Sequence, residues 1–361
     1  MEKKPFLLMV VVTLIVLAIL YIQSSKPHSN NSFVQPALGR SSNGNYPSAP
    51  EFSGVSQYIN SNSSLTLSSL KGKVVLVDFW TYSCINCIRT LPYLKAWNEK
   101  YADKGLVIVG VHTPEFDFEK DPANVRAAVN KFNITYPVLM DNDYSIWNSY
   151  SNQYWPHEFL IDANGKVRYD QIGEGGEVQL EQEIQSLLSE ANNSNSSLGS
   201  LASSNMSSQG DLSQISTPEI YLGYRFARSP LGNVEGFSPE NIVYYNFSGQ
   251  PVPNQVYLNG NWKNNLDNME LTDNSGLVTL YYKAGKVHIV AGSLSRSNLS
   301  ISIDGKSINS TKIGSDADEN SIVEVTNQRL YTLVDSDDYS PHKITFNVSG
   351  SGFRLYTFTF G

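Results

Sequence analysis

Cysteine is almost absent from this chain: its 361 residues carry two, Cys84 and Cys87. A fold stapled by disulfides is thereby excluded, so stability must come from buried cores. Histidine is sparse too, with five residues at positions 28, 112, 157, 288 and 342 and no ligand spacing among them. No second cysteine pair exists to complete a four-thiolate zinc site. The 26 Lys and Arg are outnumbered by 34 Asp and Glu, giving a formal charge of −8 without a basic cluster. That balance argues against nucleic acid as a partner.

Long apolar runs are also missing, apart from Phe6–Ile22. This run is long enough to cross a bilayer as a helix. Lys3 and Lys4 before it predict a cytoplasmic N-terminus, with the rest of the chain on the extracytoplasmic side. A cleaved signal peptide is the alternative, but no small-x-small pattern and no lipoprotein cysteine follow the run. Residues 1–22 are therefore read as a membrane anchor or signal segment, with the retained anchor favoured. Residues 23–50, rich in Ser, Asn, Gly and Pro, read as a flexible tether. Sequons at Asn62, Asn133, Asn205, Asn246, Asn298 and Asn347 are compatible with export. The remaining length suggests two domains, each able to bury a core.

What is present is concentrated in one stretch, Lys73-Val-Val-Leu-Val-Asp78-Phe-Trp80-Thr-Tyr-Ser-Cys84-Ile-Asn-Cys87-Ile-Arg-Thr-Leu-Pro92. It opens as a buried, β-branched strand and continues as a helix through Leu91, Leu94 and Trp97. Two thiols three residues apart at the first turn of a helix can reach each other. The free amides and dipole of that helix end favour a thiolate at Cys84. Half of a zinc site and an inert structural disulfide share this spacing, and the missing second ligand pair disfavours the zinc reading.

Asp78-Phe-Trp80 before the cysteines and Pro92 after them resemble the thioredoxin superfamily. The longer string resembles its DipZ-type, TlpA-like branch, found in cytochrome c biogenesis and extracytoplasmic redox proteins. The resemblance extends through Gly110-Val-His112-Thr-Pro-Glu115-Phe, Tyr136-Pro, Asn152-Gln-Tyr-Trp155-Pro156, Leu160-Ile-Asp and Gly173-Glu-Gly. It implies an α/β thioredoxin fold of the TlpA-like kind over residues 51–191. Residue pattern agrees. Gly105–Val111 reads as a second parallel strand, and Asp121-Pro122 opens a helix through Val125, Ala128, Val129 and Phe132. Tyr136–Met140 reads as a short strand, and Ala163-Asn164-Gly165 turns a hairpin. Glu177–Glu190 reads as a helix with its stripe at Val178, Leu180, Ile184, Leu187 and Leu188.

Site roles follow from this resemblance and the chemistry together. Cys84 is expected to attack and Cys87 to resolve the mixed disulfide. Asp78 matches the buried aspartate of thioredoxins, and a buried carboxyl holds its proton readily enough to exchange one with Cys87; the plain alternative is a strand-end carboxylate. The resemblance implies that Pro156 is the cis-proline facing the disulfide. Trp80, Trp155 and Glu115 are expected as supporting or substrate-contacting residues, Glu115 because it follows a parallel strand on the side of the cysteines. His112 and His157 read as hydrogen-bonded structural residues. No cofactor is expected beyond the redox-active Cys84–Cys87 pair, and no metal. A peroxidase reading lacks a Thr-x-x-Cys motif, and a copper chaperone lacks a third ligand.

Residues 192–214 form a low-complexity linker. Residues 215–361 break into short alternating segments between turn residues, with Asp304-Gly305 as a hairpin turn, which predicts an all-β sandwich or jelly roll. Thr217–Gly223 and Leu355–Gly361 resemble the C-terminal domain of DipZ-type proteins, which is similar to carbohydrate-binding modules. Tyr244, Tyr245, Trp262, Tyr281 and Tyr282 are candidates for stacking on a glycan, although adjacent pairs point to opposite faces. The sequence as a whole predicts a membrane-anchored, extracytoplasmic thiol–disulfide oxidoreductase acting on protein thiols or disulfides. In DipZ-type proteins the domain is usually fused to a CcdA-type electron-carrying membrane domain, so a separate CcdA-type donor is expected here. The competing reading is a cell-surface binding module that uses the thioredoxin-like domain as a docking platform.

Overall fold

The computed structural model describes residues 46–61, 65–192, 198–203, 212–308 and 312–361. The anchor at residues 1–22, most of the tether and most of the 192–214 linker lie outside them. Among the described residues no helix is long and apolar enough to cross a membrane.

The first sheet is built from β1 (Gln57–Ile59), β2 (Val74–Trp80), β3 (Leu106–His112), β4 (Val138–Met140), β5 (His157–Ile161) and β6 (Val167–Ile172), in the order β1-β4-β3-β2-β5-β6. β2 lies at its centre, parallel to β3 and antiparallel to β5. All seven residues of β2 are buried, as its unbroken β-branched run requires of a strand covered on both faces. Its side chains alternate. Val74, Leu76 and Trp80 join the core that contains Cys87, Leu91 and Leu94, while Val75, Val77 and Phe79 join a second core with Trp147 and Tyr150.

Helix α1 (Ile85–Tyr101) follows β2 directly and contains Pro92. Helix α2 (Pro122–Lys131) starts at Pro122 with Asp121 as its cap, accepting from the Ala123 amide at 2.8 Å. The short α3 (Ser145–Ser149) has no counterpart in the sequence reading, since five residues are too few to show a period. Helix α4 (Glu177–Ala191) buries Leu180, Ile184, Leu187 and Leu188. Val178, expected in that stripe, is 47% exposed. It lies in the first turn, at the edge of the apolar face. This is a thioredoxin fold.

The C-terminal domain is all antiparallel. Its strands are β7 (Ile220–Tyr221), β8 (Ile242–Tyr245), β9 (Val256–Asn264), β10 (Met269–Leu271), β11 (Ser275–Lys283), β12 (Lys286–Ser293), β13 (Ser297–Ile303), β14 (Lys306–Ser307), β15 (Ile322–Val325), β16 (Arg329–Asp335), β17 (Pro341–Ser349) and β18 (Phe353–Phe360). They form one sheet, β14-β13-β17-β11-β9-β10-β18-β12-β16, with β15, β7 and β8 added at β13, β18 and β9. The sheet curls so strongly that its halves face each other as a sandwich joined through β9. Phe346 of β17 meets Phe358 of β18 with ring centroids 6.1 Å apart across the core. Of the aromatics considered for glycan stacking, Tyr245, Trp262 and Tyr282 are core residues with at most 1% exposure, while Tyr244 is 64% exposed. Strand alternation is the reason: each adjacent pair sends one ring inward.

A β-bulge aims this domain at the first. In the β12–β18 ladder Val290 pairs with Thr357 and Ala291 with Leu355, so Tyr356 has no partner. The extra residue shifts the parity of the strand. Leu355 and Phe358 point into the sandwich, while Tyr356 packs with Val290 and Tyr221 in the core of the thioredoxin domain. There Tyr356 sits 5.2 Å from Phe116 and 4.9 Å from Phe118, centroid to centroid. Arg89 of α1 adds a polar tie, pairing with Glu174 at 2.7 Å and donating to the Phe360 carbonyl at 3.3 Å. Tyr356→Ala removes the aromatic wedge. A loss of about 3 kcal/mol is expected in urea unfolding, together with faster alkylation of Cys84 as the domains part. An unchanged alkylation rate would show that the wedge does not hold the domain in place.

Candidate active site

The thiol pair is set by the junction of β2 and α1. Cys84 caps the helix in an extended conformation, and its Sγ accepts the Cys87 amide at 3.2 Å. Cys84 is half-buried, Cys87 fully buried, and both are free thiols. Burial pushes the Cys84 thiol up, and the charges of Glu219 and Glu115 add to it, against the lowering effect of hydrogen bonds from the Cys87 side chain and amide. The expectation of an easily ionised Cys84 is corrected accordingly. The helix-end amide is in place, but desolvation outweighs it. Cys87 lies well above the ordinary thiol range, first through burial, then through Cys84, and further through Asp78.

Asp78 shares a strand face with Leu76 and Trp80 by alternation, which places it on the α1 side. It is fully buried, and neither of its carboxylate oxygens has a hydrogen-bond partner among the described residues. Across the β2–β5 ladder it stands opposite Glu158, which is 3% exposed and has an unpartnered Oε2. Burial raises Asp78 to about 7, and burial followed by the Asp78 charge pushes Glu158 well above the carboxylate range. Two acids held this way retain a proton near neutral pH. On the other side of Asp78 stands Gly110. A Cβ there would lie 2.9 Å from the Trp80 indole nitrogen and 3.3 Å from the Tyr136 ring, so the glycine lets both rings close over the strand. Glu158 escaped sequence reading. An acid inside His-Glu-Phe-Leu-Ile is visible, but only the strand register shows that it faces Asp78.

The Trp155–Pro156 peptide is cis, and Pro156 is buried. Trp155 is anchored by a 3.1 Å hydrogen bond from its Nε1 to the Thr113 carbonyl and by Trp147, 4.1 Å away. His157 is held between Asn152 Oδ1 at 2.7 Å and Asp170 Oδ2 at 3.0 Å. His112 is packed by Trp80 and Tyr82, and burial pushes it down to about 3, so it is neutral. Among the described residues no three His, Cys, Asp or Glu side chains cluster as metal ligands. Trp80 is a core residue, fully buried, and does not line the cavity at Cys84.

That cavity, of about 150 Å³, lies between the two domains. Cys84, Glu115 and the 153–155 loop line one side, and Glu219, Tyr221, Arg228, Val290, Thr357 and Thr359 line the other. Tyr221 donates to Glu115 Oε1 at 2.6 Å across the boundary. Burial, then the Glu219 charge, raises Glu115 to about 8. The structure thus brings Cys84, Glu115 and Trp155 to one cavity and sets Cys87, Asp78 and Trp80 beneath it. Glu219, Tyr221 and Arg228 escaped sequence reading because nothing local in the sequence ties them to a thiol more than a hundred residues away.

A family model described as Redoxin matches residues 44–186, and one described as Thioredoxin like C-terminal domain matches residues 217–361. Thiol-disulfide oxidoreductase YkuV of Bacillus subtilis is 30% identical over 142 residues, covering 39% of this chain and 94% of YkuV. This chain belongs to the thioredoxin-like thiol–disulfide oxidoreductases. Protein DipZ of Mycobacterium bovis is 36% identical over 262 residues, which is 72% of this chain. The chain spans 36% of the length of DipZ. Among solved structures, a thiol:disulfide interchange protein of the thioredoxin family from Chlorobium tepidum aligns at TM-score 0.35 and 26% identity, covering 40% of this chain and 97% of that one.

The buried acid pair links stability to pH. Asp78, raised to about 7 in the fold, binds more protons there than in the unfolded chain, where an aspartate titrates near ~3.9. Stability is therefore highest below the unfolded value and falls as pH rises from about 4 towards 7, by up to about 1.4 kcal/mol per pH unit. Asp78→Asn should flatten this decline and raise the melting temperature more at pH 8 than at pH 5. Equal shifts at both pH values would show that the fold does not raise the Asp78 carboxyl above its unfolded value.

Proposed function

We propose that this chain is a membrane-anchored, extracytoplasmic thiol–disulfide oxidoreductase that works as a reductant, in cytochrome c biogenesis or envelope redox maintenance. The observation that carries the reading is the geometry of Cys84: a half-buried thiol at a helix end, facing a cavity, with a buried thiol behind it and a buried acid pair beneath. In the reducing direction Cys84 attacks a client disulfide. Cys87 then attacks the Cys84 sulfur, its proton passing towards the Asp78–Glu158 pair, and the client leaves as a dithiol. The thiols support this direction. Burial and the charges of Glu219 and Glu115 disfavour a Cys84 thiolate, which leaves the disulfide form comparatively stable and the dithiol a willing donor.

Anchoring rests on the Phe6–Ile22 run, which would hold the domains at the membrane surface. With two cysteines in one motif there is no internal relay thiol. Electrons must therefore arrive by direct contact at Cys84, and a separate CcdA-type membrane protein is the donor that fits. A cavity of about 150 Å³ beside Cys84 favours a protein donor or client that presents its cysteine on an extended segment. A glycan contact at the C-terminal domain would depend on Tyr244, the most exposed ring of the candidate set.

Three measurements test this reading. The reduction potential should fall at the reducing end of the range of about −270 to −120 mV; a value near the upper limit would make the protein an oxidant. Cys87→Ser should trap a multi-spanning membrane partner as a mixed disulfide, identified by mass spectrometry after non-reducing purification. Asp78→Asn should slow resolution on the order of a hundredfold at neutral pH while leaving the attack step faster than resolution. Trapping only secretory proteins and a quinone-linked oxidase would reverse the proposed direction.

A further inference from the structure

The cavity at Cys84 has a mouth of mixed charge. Glu219 and Arg228 are both exposed at its rim, and Glu115 stands half-buried deeper in. Glu219 accepts from Thr359 Oγ1 at 3.0 Å and from the Tyr221 hydroxyl at 3.3 Å. Arg228 lies 5.7 Å over the Tyr221 ring. Neither residue forms an ion pair within 4 Å among the described residues, so an anion and a cation face one small cavity without neutralising each other. The walls between them are Val290, Thr357 and Thr359 on one side and Trp155 on the other. A space of about 150 Å³ beside Cys84 suits a small molecule better than a folded protein surface.

Resting on the reading of Cys84 as the exchanging thiol, we propose that this cavity binds a low-molecular-weight disulfide with α-amino-acid ends. Its ammonium group sits against Glu219 and its carboxylate against Arg228. The Cys84 thiolate attacks the nearer sulfur, a Cys84–ligand disulfide forms, and the ligand S–S bond breaks to release one thiol. Cys87 then attacks the Cys84 sulfur and releases the second thiol. In sum, one ligand disulfide becomes two thiols as the Cys84–Cys87 dithiol becomes a disulfide. Two electrons and the two cysteine protons pass to the products. The bound ammonium does a second job. Glu219 opposes a negative charge on Cys84, and a cation beside it screens that opposition. The ligand thereby favours the thiolate that attacks it.

Four symmetrical disulfides separate the contacts in single-turnover mixing with the reduced full chain, followed by intrinsic tryptophan fluorescence. They are cystine (zwitterionic), cystamine (cationic), dithiodiglycolate (anionic) and bis(2-hydroxyethyl) disulfide (neutral). Cystine should react fastest at pH 7, at least about tenfold faster than the neutral probe, as expected for one charge-assisted contact. Glu219→Gln should reduce the cystine-to-neutral rate ratio about tenfold, and Arg228→Glu should shift the preference from cystine to cystamine. Because both side chains lie at the surface, folding of these variants is checked by an unchanged circular dichroism spectrum. The proposal is overturned if cystine reacts no faster than the neutral probe, or if both variants keep the wild-type ratios. It is also overturned if cystamine matches cystine on the wild type, because the carboxylate contact is then absent. If none of the four disulfides reacts, the reading of Cys84 as an exchanging thiol fails, whatever the cavity binds.

Discussion

Burial of β2 on both faces is the constraint on which the rest of the molecule depends. A strand with water on neither side must send alternate residues into two separate cores. One of those cores lies under α1, the helix that begins five residues after the strand ends. An acid placed in phase with Leu76 and Trp80 is therefore delivered beneath the thiols without any special loop. The cost of desolvating that acid is what keeps it protonated near neutral pH, and Glu158 on the neighbouring strand deepens the effect. The same low-dielectric surroundings raise both cysteines. One packing decision thus sets the proton affinity of every group in the exchange.

The second domain acts on this site through geometry rather than through chemistry of its own. A single unpaired residue in β18 shifts the phase of the strand, so that Leu355 and Phe358 both face the sandwich core while Tyr356 between them faces the neighbouring domain. The aromatic contacts with Phe116 and Phe118 then fix the outer face of the β12–β18 pair over the helix end. Glu219, Tyr221 and Arg228 arrive with it as the far wall of the thiol cavity. A thioredoxin fold alone would leave Cys84 facing solvent. Here the second domain narrows its access and adds charge.

The thiol pair and its place at a helix start were legible in the sequence because they are local. Cys84 and Cys87 are three residues apart, and the strand and helix that flank them each carry their own hydrophobic period. The alternating segments of the C-terminal half likewise announced β structure, since a strand in a sandwich records its two environments residue by residue. Short elements such as β1, β7, β10 and α3 left no such record, having too few residues to show a period.

What tertiary structure alone decided are the relations between distant segments. The pairing of Asp78 with Glu158 depends on strand register, and a shift of one residue would have turned Glu158 to the opposite face. The elevated Cys84 thiol depends on burial by a domain that begins more than a hundred residues later. Helix-end electrostatics, which the sequence does reveal, predicted the opposite sign. The sequence by itself determined which two thiols lie within reach of each other, because their spacing along the chain is enough to bring them together. Only the fold decided how tightly those atoms hold their protons and what can approach them, because desolvation and access are properties of the packed surroundings.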